Sequence, residues 1–384
     1  MSEGRAYTEG SDTGCREQRP STPFRVASFP RTNTGNPYVD LFYRALEQYG
    51  VQRRCGLQFD LRWLRDHAQE LDALHFHWPE RLWRGRCRGR LDRVRHAVSF
   101  GRLRGVARLR RYLDAAGRLG LKRIWTVHNL GHHEGTDRVD RWGYRTLASH
   151  CDLLICHSRW AAERTREQFG TSTDVVVMRH GTYDNVYPQP RPRRHVAEAL
   201  GLREDLPIVS CVGTLRRYKG IEIACEATTL LGDKVQLVVG GSPSPSADRP
   251  YWQRLVDSVP GAVLLDRSLS DQEFSDVIAS SDALLLPYVQ ITGSGALLAA
   301  WTLGTSVVAS DLPFFQEMLH DYPMSGTLFE TGNASALAEA IEHHLSIPPH
   351  DRNAGVAEAA REHSWARCVA PVGQIVRSWQ RADT

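Results

Sequence analysis

The sequence predicts an α/β protein made of two successive doubly wound domains, each a parallel sheet wrapped by helices. Short apolar runs rich in β-branched residues recur along the chain, as buried parallel strands require. Segments of helical periodicity lie between them. The alternation restarts after Tyr187–Arg194 (YPQPRPRR), a proline–arginine stretch stiff enough to link two domains. A chain of 384 residues has room for about two or three domains of ~150 residues.

Taken in order, residues 1–22 are polar and are expected to form a disordered tail. The first domain is assigned to 23–190. It opens with a strand at Phe24–Pro30, a loop (RTNTGNP) and a helix at Tyr38–Tyr49 that Gly50 ends. Further strands are predicted at Leu71–His77, Ile124–His128, Asp152–His157 and Asp174–Met178. The second domain is assigned to 191–366, with strands at Ile208–Gly213, Val235–Gly240, Val263–Leu265, Ala283–Pro287 and Ser306–Ser310. Ala296–Leu303 and Trp365–Gln380 read as helices.

Composition narrows the function classes. Hydrophobic residues make up 41% and charged residues 24%, as in ordinary globular chains. No apolar run approaches the ~20 residues that span a bilayer. The first residues lack the apolar core of a signal peptide. The eight cysteines never form C-x-x-C and read as reduced thiols, so a cytoplasmic location is expected. A net charge of +4 is too small to call for a nucleic-acid partner. Only Lys122, Lys219 and Lys234 are lysines, which makes each of them informative.

Ligands of parallel α/β sheets bind beyond the carboxyl ends of the strands. The residues at and just after the ends of the predicted strands are rich in polar residues and glycine. In the first half they include His77-Trp78-Pro79, His128-Asn129 and Arg179-His180-Gly181. In the second half, Gly213 to Gly220 forms a short cationic loop, and Thr292-Gly293-Ser294-Gly295 precedes a helix. Backbone N–H groups at such a helix start suit an anion, so the two loops together predict a diphosphate site. A dinucleotide fingerprint fails because Leu298 stands where Gly or Ala is needed. A phosphate-binding Walker loop fails because Gly220, not Ser or Thr, follows Lys219. The chain has no D-x-D and no H-E-x-x-H, so neither a metal nor a cofactor is expected.

Several motifs in this order resemble glycosyltransferases of the GT-B type, in particular bacterial enzymes of exopolysaccharide and glycolipid assembly such as xanthan-type mannosyltransferases. They are Asn36-Pro37-Tyr38, Leu74 to Pro79, Trp125 to Asn129, His133-Glu134, Val212 to Gly220, Leu286 to Tyr288, Thr292 to Gly295, and Gly304 to Pro313. The resemblance covers about residues 24–380. It implies two Rossmann-like domains facing across a cleft, the first for acceptor and the second for nucleotide-sugar, with the C-terminal helix, 367–384, returning to the first. The donor contacts expected are Gly213, Arg216, Lys219, Thr292, Gly293, Ser294 and Gly295, with Tyr288 against the nucleotide base or the core and Glu317 in the place of a ribose-binding glutamate. Acceptor contacts are expected at Asn36, His77, Trp78, Asn129 and His133. His128 is expected to orient the reacting sugar, and Glu134 to act as general base in an inverting reaction.

The chain departs from that family in one respect. Many retaining members carry paired glutamates where this sequence has Ile291 and Ala299. Both stereochemical outcomes stay open, with a tilt toward inversion. The expected function is metal-independent glycosyl transfer to a lipid-linked saccharide or a small phosphorylated intermediate such as an aminocyclitol. An epimerase acting on nucleotide-sugars and a non-catalytic relative are the alternatives. Arg81–Arg111 holds twelve arginines and one acid, Asp92, among apolar residues. It is expected to present a basic surface to an anionic acceptor or to the inner membrane face.

Overall fold

A computed structural model describes residues 22–31, 36–84, 100–131, 136–243 and 249–382. The expected tail over 1–22 lies almost wholly outside them. Strands β1 (Phe24–Phe29), β2 (Val51–Gly56), β3 (Ala73–Phe76), β4 (Lys122–Thr126), β5 (Leu153–Cys156) and β6 (Val175–Val177) form one sheet in the order β2-β1-β3-β4-β5-β6. Strands β7 (Ile208–Val212), β8 (Gln236–Gly240), β9 (Val263–Leu265), β10 (Ala283–Leu286), β11 (Val307–Ser310) and β12 (Gly326–Phe329) form the other, in the order β12-β11-β10-β7-β8-β9. Every pairing is parallel. The chain reverses its winding direction between β1 and β3 in the first sheet, and between β7 and β10 in the second.

The central strands are buried along their whole length, which explains their continuous apolar sequence. Two strands, β2 (VQRRCG) and β12 (GTLF), were not expected. Both are sheet edges with partly exposed residues, so neither carries the apolar run of a central strand. Carboxylates anchor the opposite ends of the strands. Asp72 accepts from the Arg25 N–H at 2.6 Å, Asp152 from the Arg123 N–H at 2.7 Å, and Asp282 from the Ile208 N–H at 2.8 Å.

The chain end packs on the first sheet. Trp379, on helix Ala370–Ala382, meets the Phe24 ring at 6.0 Å, and Lys122 Nζ lies 5.4 Å from the Trp379 ring. Gly181 faces the Trp365 ring so closely that a β-carbon there would lie 2.4 Å from it. Among the described residues no helix is long and apolar enough to cross a membrane, and six cysteines are unpaired.

The structure corrects the reading of the basic segment in part. Arg84 and Arg102 do not face solvent freely, because both bind Asp140, a residue that is 0% exposed. Trp83 Nε1 donates to the same carboxylate at 2.9 Å. Asp137, which caps helix Arg138–His150, also pairs with Arg102. Burial by itself would raise the Asp140 pKa, but Arg84, Trp83 and Arg102 hold it well below the usual carboxylate range. Helix Phe100–Arg118 buries Val106, Leu109, Tyr112 and Leu113, and leaves Arg104, Arg108, Arg110 and Arg111 exposed. Residues 85–99 lie outside the described residues.

Removing one partner of a buried ion pair leaves the other charge uncompensated. Asp140→Asn is expected to cost about 3 kcal/mol of stability, the lower end for such pairs because both arginines keep some solvent contact. Thermal or urea unfolding measures it, and a loss below about 0.5 kcal/mol, typical of a surface pair, contradicts the assignment.

Candidate donor and acceptor site

Three loops of the second sheet converge at its switch point. The first runs from Gly213 through the short 3-10 helix Arg217–Lys219 to Gly220. Gly220, at φ +66, lies so near the loop after β10 that a β-carbon would sit 1.9 Å from the Pro287 carbonyl oxygen. Gly241, at φ +152, comes equally close to Gly213, where a β-carbon would be 2.0 Å from the carbonyl oxygen. Only glycine permits both approaches. Cross-links hold them: Leu215 N–H to Ser242 O at 2.8 Å, and Val289 N–H to Tyr218 O at 2.8 Å.

Lys219 sits at the centre of these loops. Its Nζ donates to Val212 O at 3.2 Å and lies 5.8 Å from the Tyr288 ring. Gly213, at φ +104, makes the room, since a β-carbon there would be 2.6 Å from that Nζ. Burial lowers the ammonium's pKa from 10.5 to about 8. Arg216 immediately precedes the 3-10 helix and has a buried Nε without a hydrogen-bond partner among the described residues. Helix Gly295–Thr302 starts nearby in sequence after β10, with Ser294 as its cap: the Oγ accepts from Leu297 N–H at 3.2 Å. Gly293 has open space around its α-carbon.

The first sheet contributes imidazoles. His77, His128, His157 and His180 follow β3, β4, β5 and β6, so they lie along one sheet edge. Their rings surround Tyr38 at 4.7 to 5.8 Å between centroids. Burial holds the pKa of each well below its usual value, so all four are neutral at pH 7. His128 is half-buried, stacked on Trp78 at 4.4 Å. His180 Nε2 lies 3.4 Å from Tyr183 Oη, and that hydroxyl in turn abuts Gly295 at the start of the second half's helix. The imidazole edge and the helix N-terminus therefore share one cleft.

Contacts across the cleft tie the halves together. Glu317 accepts from the Arg159 N–H at 2.9 Å and the Trp160 N–H at 3.1 Å. Ser158 takes the Ala161 N–H at 3.0 Å, so the two side chains satisfy the first N–H groups of helix Arg159–Phe169. Asp321 pairs with both Arg159 and Arg179, and Tyr183 N–H donates to Thr302 Oγ1 at 2.8 Å. Beside these contacts lies a cavity of about 400 Å³. Asn129, Leu130, Trp160, Gln168, Ile291 and Thr292 are among its lining residues.

Some expected contacts receive other tasks. Glu317 is not free for a ribose, because both its oxygens cap a helix of the first half. Tyr288 is 4% exposed and packs on Phe315 and Tyr218, so it supports Lys219 from the core instead of facing a ligand. His77 is 1% exposed and cannot touch an acceptor in this arrangement. Asn36 accepts the Tyr38 N–H on its Oδ1 at 3.0 Å, in the turn just before helix Tyr38–Leu46. Asn129 and Thr292 do reach the cleft, and Thr292 Oγ1 accepts from the Leu130 N–H at 3.5 Å, whereas half-buried Trp78 stacks on His128. His133 and Glu134 lie outside the described residues. His157 and His180 were not singled out as site residues, although His157 ends a predicted strand as His128 does and His180 follows one.

A model of glycosyl transferases group 1 matches residues 206–346, and a model of glycosyltransferase family 4 matches residues 94–185. An α-maltose-1-phosphate synthase of Mycolicibacterium smegmatis is 27% identical over 273 residues, 66% of this chain and 70% of its own. A GDP-mannose:glycolipid 4-β-D-mannosyltransferase of Xanthomonas campestris is 28% identical over 292 residues, 73% of this chain and 71% of its own. Among solved structures, sucrose-phosphate synthase of Thermosynechococcus elongatus superposes with a TM-score of 0.70 at 18% identity, covering 94% of this chain and 100% of that one. Anabaena HepE in complex with UDP and glucose gives 0.66 at 13%, with 94% and 100% covered. At such identities these structures speak for the fold alone. The two matched models, the order of the motifs and the paired parallel sheets agree: the chain belongs to the group 1, family 4 glycosyltransferases, nucleotide-sugar-dependent enzymes of the GT-B fold.

Proposed function

We propose that the donor's diphosphate lies between Lys219 and the start of helix Gly295–Thr302, and that its sugar extends toward His128. The observation that carries this is that a buried lysine follows β7 and a glycine-opened helix start follows β10, the two strands that flank the switch point of the second sheet. As the glycosidic bond to phosphate breaks, charge grows on the departing nucleoside diphosphate. Fixed N–H dipoles and the cations Lys219 and Arg216 meet that charge without a metal bridge. Trp78 holds the His128 ring by stacking and so sets where the sugar can rest.

The acceptor hydroxyl enters through the cavity between Asn129, Trp160 and Thr292. A phosphorylated or lipid-linked saccharide fits this reading. The relatives' names point the same way: a glycolipid mannosyltransferase, a maltose-1-phosphate synthase and a D-inositol 3-phosphate glycosyltransferase. The exposed arginines of helix Phe100–Arg118, with the exposed Leu103 beside them, suit a peripheral contact with anionic lipid.

Thermal unfolding with UDP, GDP, dTDP and ADP in EDTA tests the donor site. One nucleotide at 100 times its Kd adds about 2.7 kcal/mol, a shift of a few degrees, which Lys219→Ala abolishes. A shift that survives in Lys219→Ala places the diphosphate elsewhere. Lys219 also sets a pH signature. The anion favours the charged amine, which is present below pH about 8 and lost above it. Nucleotide Kd is therefore flat below that pH and rises toward tenfold per unit above it. Calorimetry across pH 7 to 10 on wild type and Lys219→Ala checks this, and equal slopes contradict it. Trp160→Leu is expected to raise the acceptor KM about tenfold while leaving the nucleotide-induced thermal shift unchanged. Loss of that thermal shift contradicts the acceptor assignment.

A further inference from the structure

His77 is buried, yet its ring is not inert packing. Its Nδ1 lies 3.3 Å from Nε2 of His128, and its own Nε2 is buried without a hydrogen-bond partner among the described residues. We propose that His77 is a positioning residue: it fixes the tautomer of His128, so that His128 presents an Nδ1–H donor to the bound sugar. This rests on the reading that puts His128 beside the donor.

Both rings are neutral, since burial is the first cause that disfavours the imidazolium at each, and neighbouring imidazoles add to it. A hydrogen bond between two neutral imidazoles needs one proton between the facing nitrogens. Were His128 Nε2 to carry it, His77 would hold its own proton on Nε2, a buried N–H with no acceptor. If His77 Nδ1 carries it, Nε2 keeps only a lone pair. A stranded N–H is the rarer of the two in folded proteins. The bond therefore runs from His77 Nδ1–H to His128 Nε2, and the mobile proton of His128 resides on Nδ1.

The neighbouring rings make this choice consequential. Trp78 stacks on His128 with 10° between the planes, and Tyr38 meets it edge-on at 4.7 Å. Held on two sides, His128 cannot readily exchange its nitrogens by turning over. His77 is itself fixed between His75, at 4.1 Å, and the rings of Tyr38 and Phe42. His75 does not compete for the same proton, because its two nitrogens already meet Tyr43 Oη and Thr126 Oγ1, each at 2.8 Å. A donor at His128 selects a sugar oxygen that can accept, either a hydroxyl or the ring oxygen. An acceptor there would demand a hydroxyl turned to donate.

Long-range 1H–15N NMR of the full chain with labelled histidine reads the tautomer directly, and His128→Gln assigns the resonance. The expected wild-type pattern is Nδ1–H at His128. His77→Asn keeps a short amide N–H in place of Nδ1–H and preserves that pattern with near wild-type kcat. His77→Leu shifts His128 to Nε2–H or to a mixture and lowers kcat about tenfold, with acceptor KM unchanged. A wild-type Nε2–H signal overturns the proposal even if the leucine variant fails to fold, and so does a leucine variant with an unchanged tautomer. A shifted tautomer with unchanged kcat leaves the hydrogen bond in place but refutes His128 beside the donor, and the positioning role falls with it.

Discussion

Parallel strands joined by helical crossovers bring all their carboxyl ends to one edge of the sheet, and this constraint governs the whole site. The first sheet lines that edge with His77, His128, His157 and His180, one after each of four strands. The second lines it with the Lys219 loop and the start of helix Gly295–Thr302. Because each sheet reverses its winding, a crevice opens there for a ligand. Placing the two edges face to face puts neutral, aromatic-bound imidazoles opposite a cationic, N–H-rich wall. On the proposed reading, the donor's neutral sugar meets the first wall and its diphosphate the second.

Directional contacts join the two halves. Glu317 satisfies two N–H groups at a helix start that would otherwise be unpaired, and Asp321 gathers Arg159 and Arg179. Both carboxylates sit on helix Pro313–Asp321 of the second half. They tie that helix to the first half at Arg159, Trp160 and Arg179. A glutamate expected to hold the ligand thus helps hold the cleft that would contain it.

The central strands were legible because burial on both faces imposes a continuous apolar run. The edge strands β2 and β12 escaped because solvent on one side removes that demand. The glycines of the donor loops were visible as punctuation after strands. Their reasons, the close approaches of Gly220 to Pro287 and of Gly241 to Gly213, depend on contacts between loops distant in sequence. Asp140 could not be matched to Arg84 and Arg102 for the same reason, so the basic segment looked freer than it is. His157 and His180 were readable by the rule that found His128, since each follows its strand. The task of Glu317 was not, because it is defined by a helix more than a hundred residues away in the chain.

The reaction itself offers the most direct measurement. Release of nucleoside diphosphate from UDP-, GDP-, dTDP- and ADP-sugars is followed in EDTA, with and without glycolipid and sugar-phosphate acceptors. A protein whose lysine and helix start replace a metal bridge releases one nucleoside diphosphate without added cation, faster with acceptor, and about a hundredfold more slowly as Lys219→Ala. Release that needs a divalent metal, or that proceeds unchanged in Lys219→Ala, contradicts the assignment of the leaving-group site.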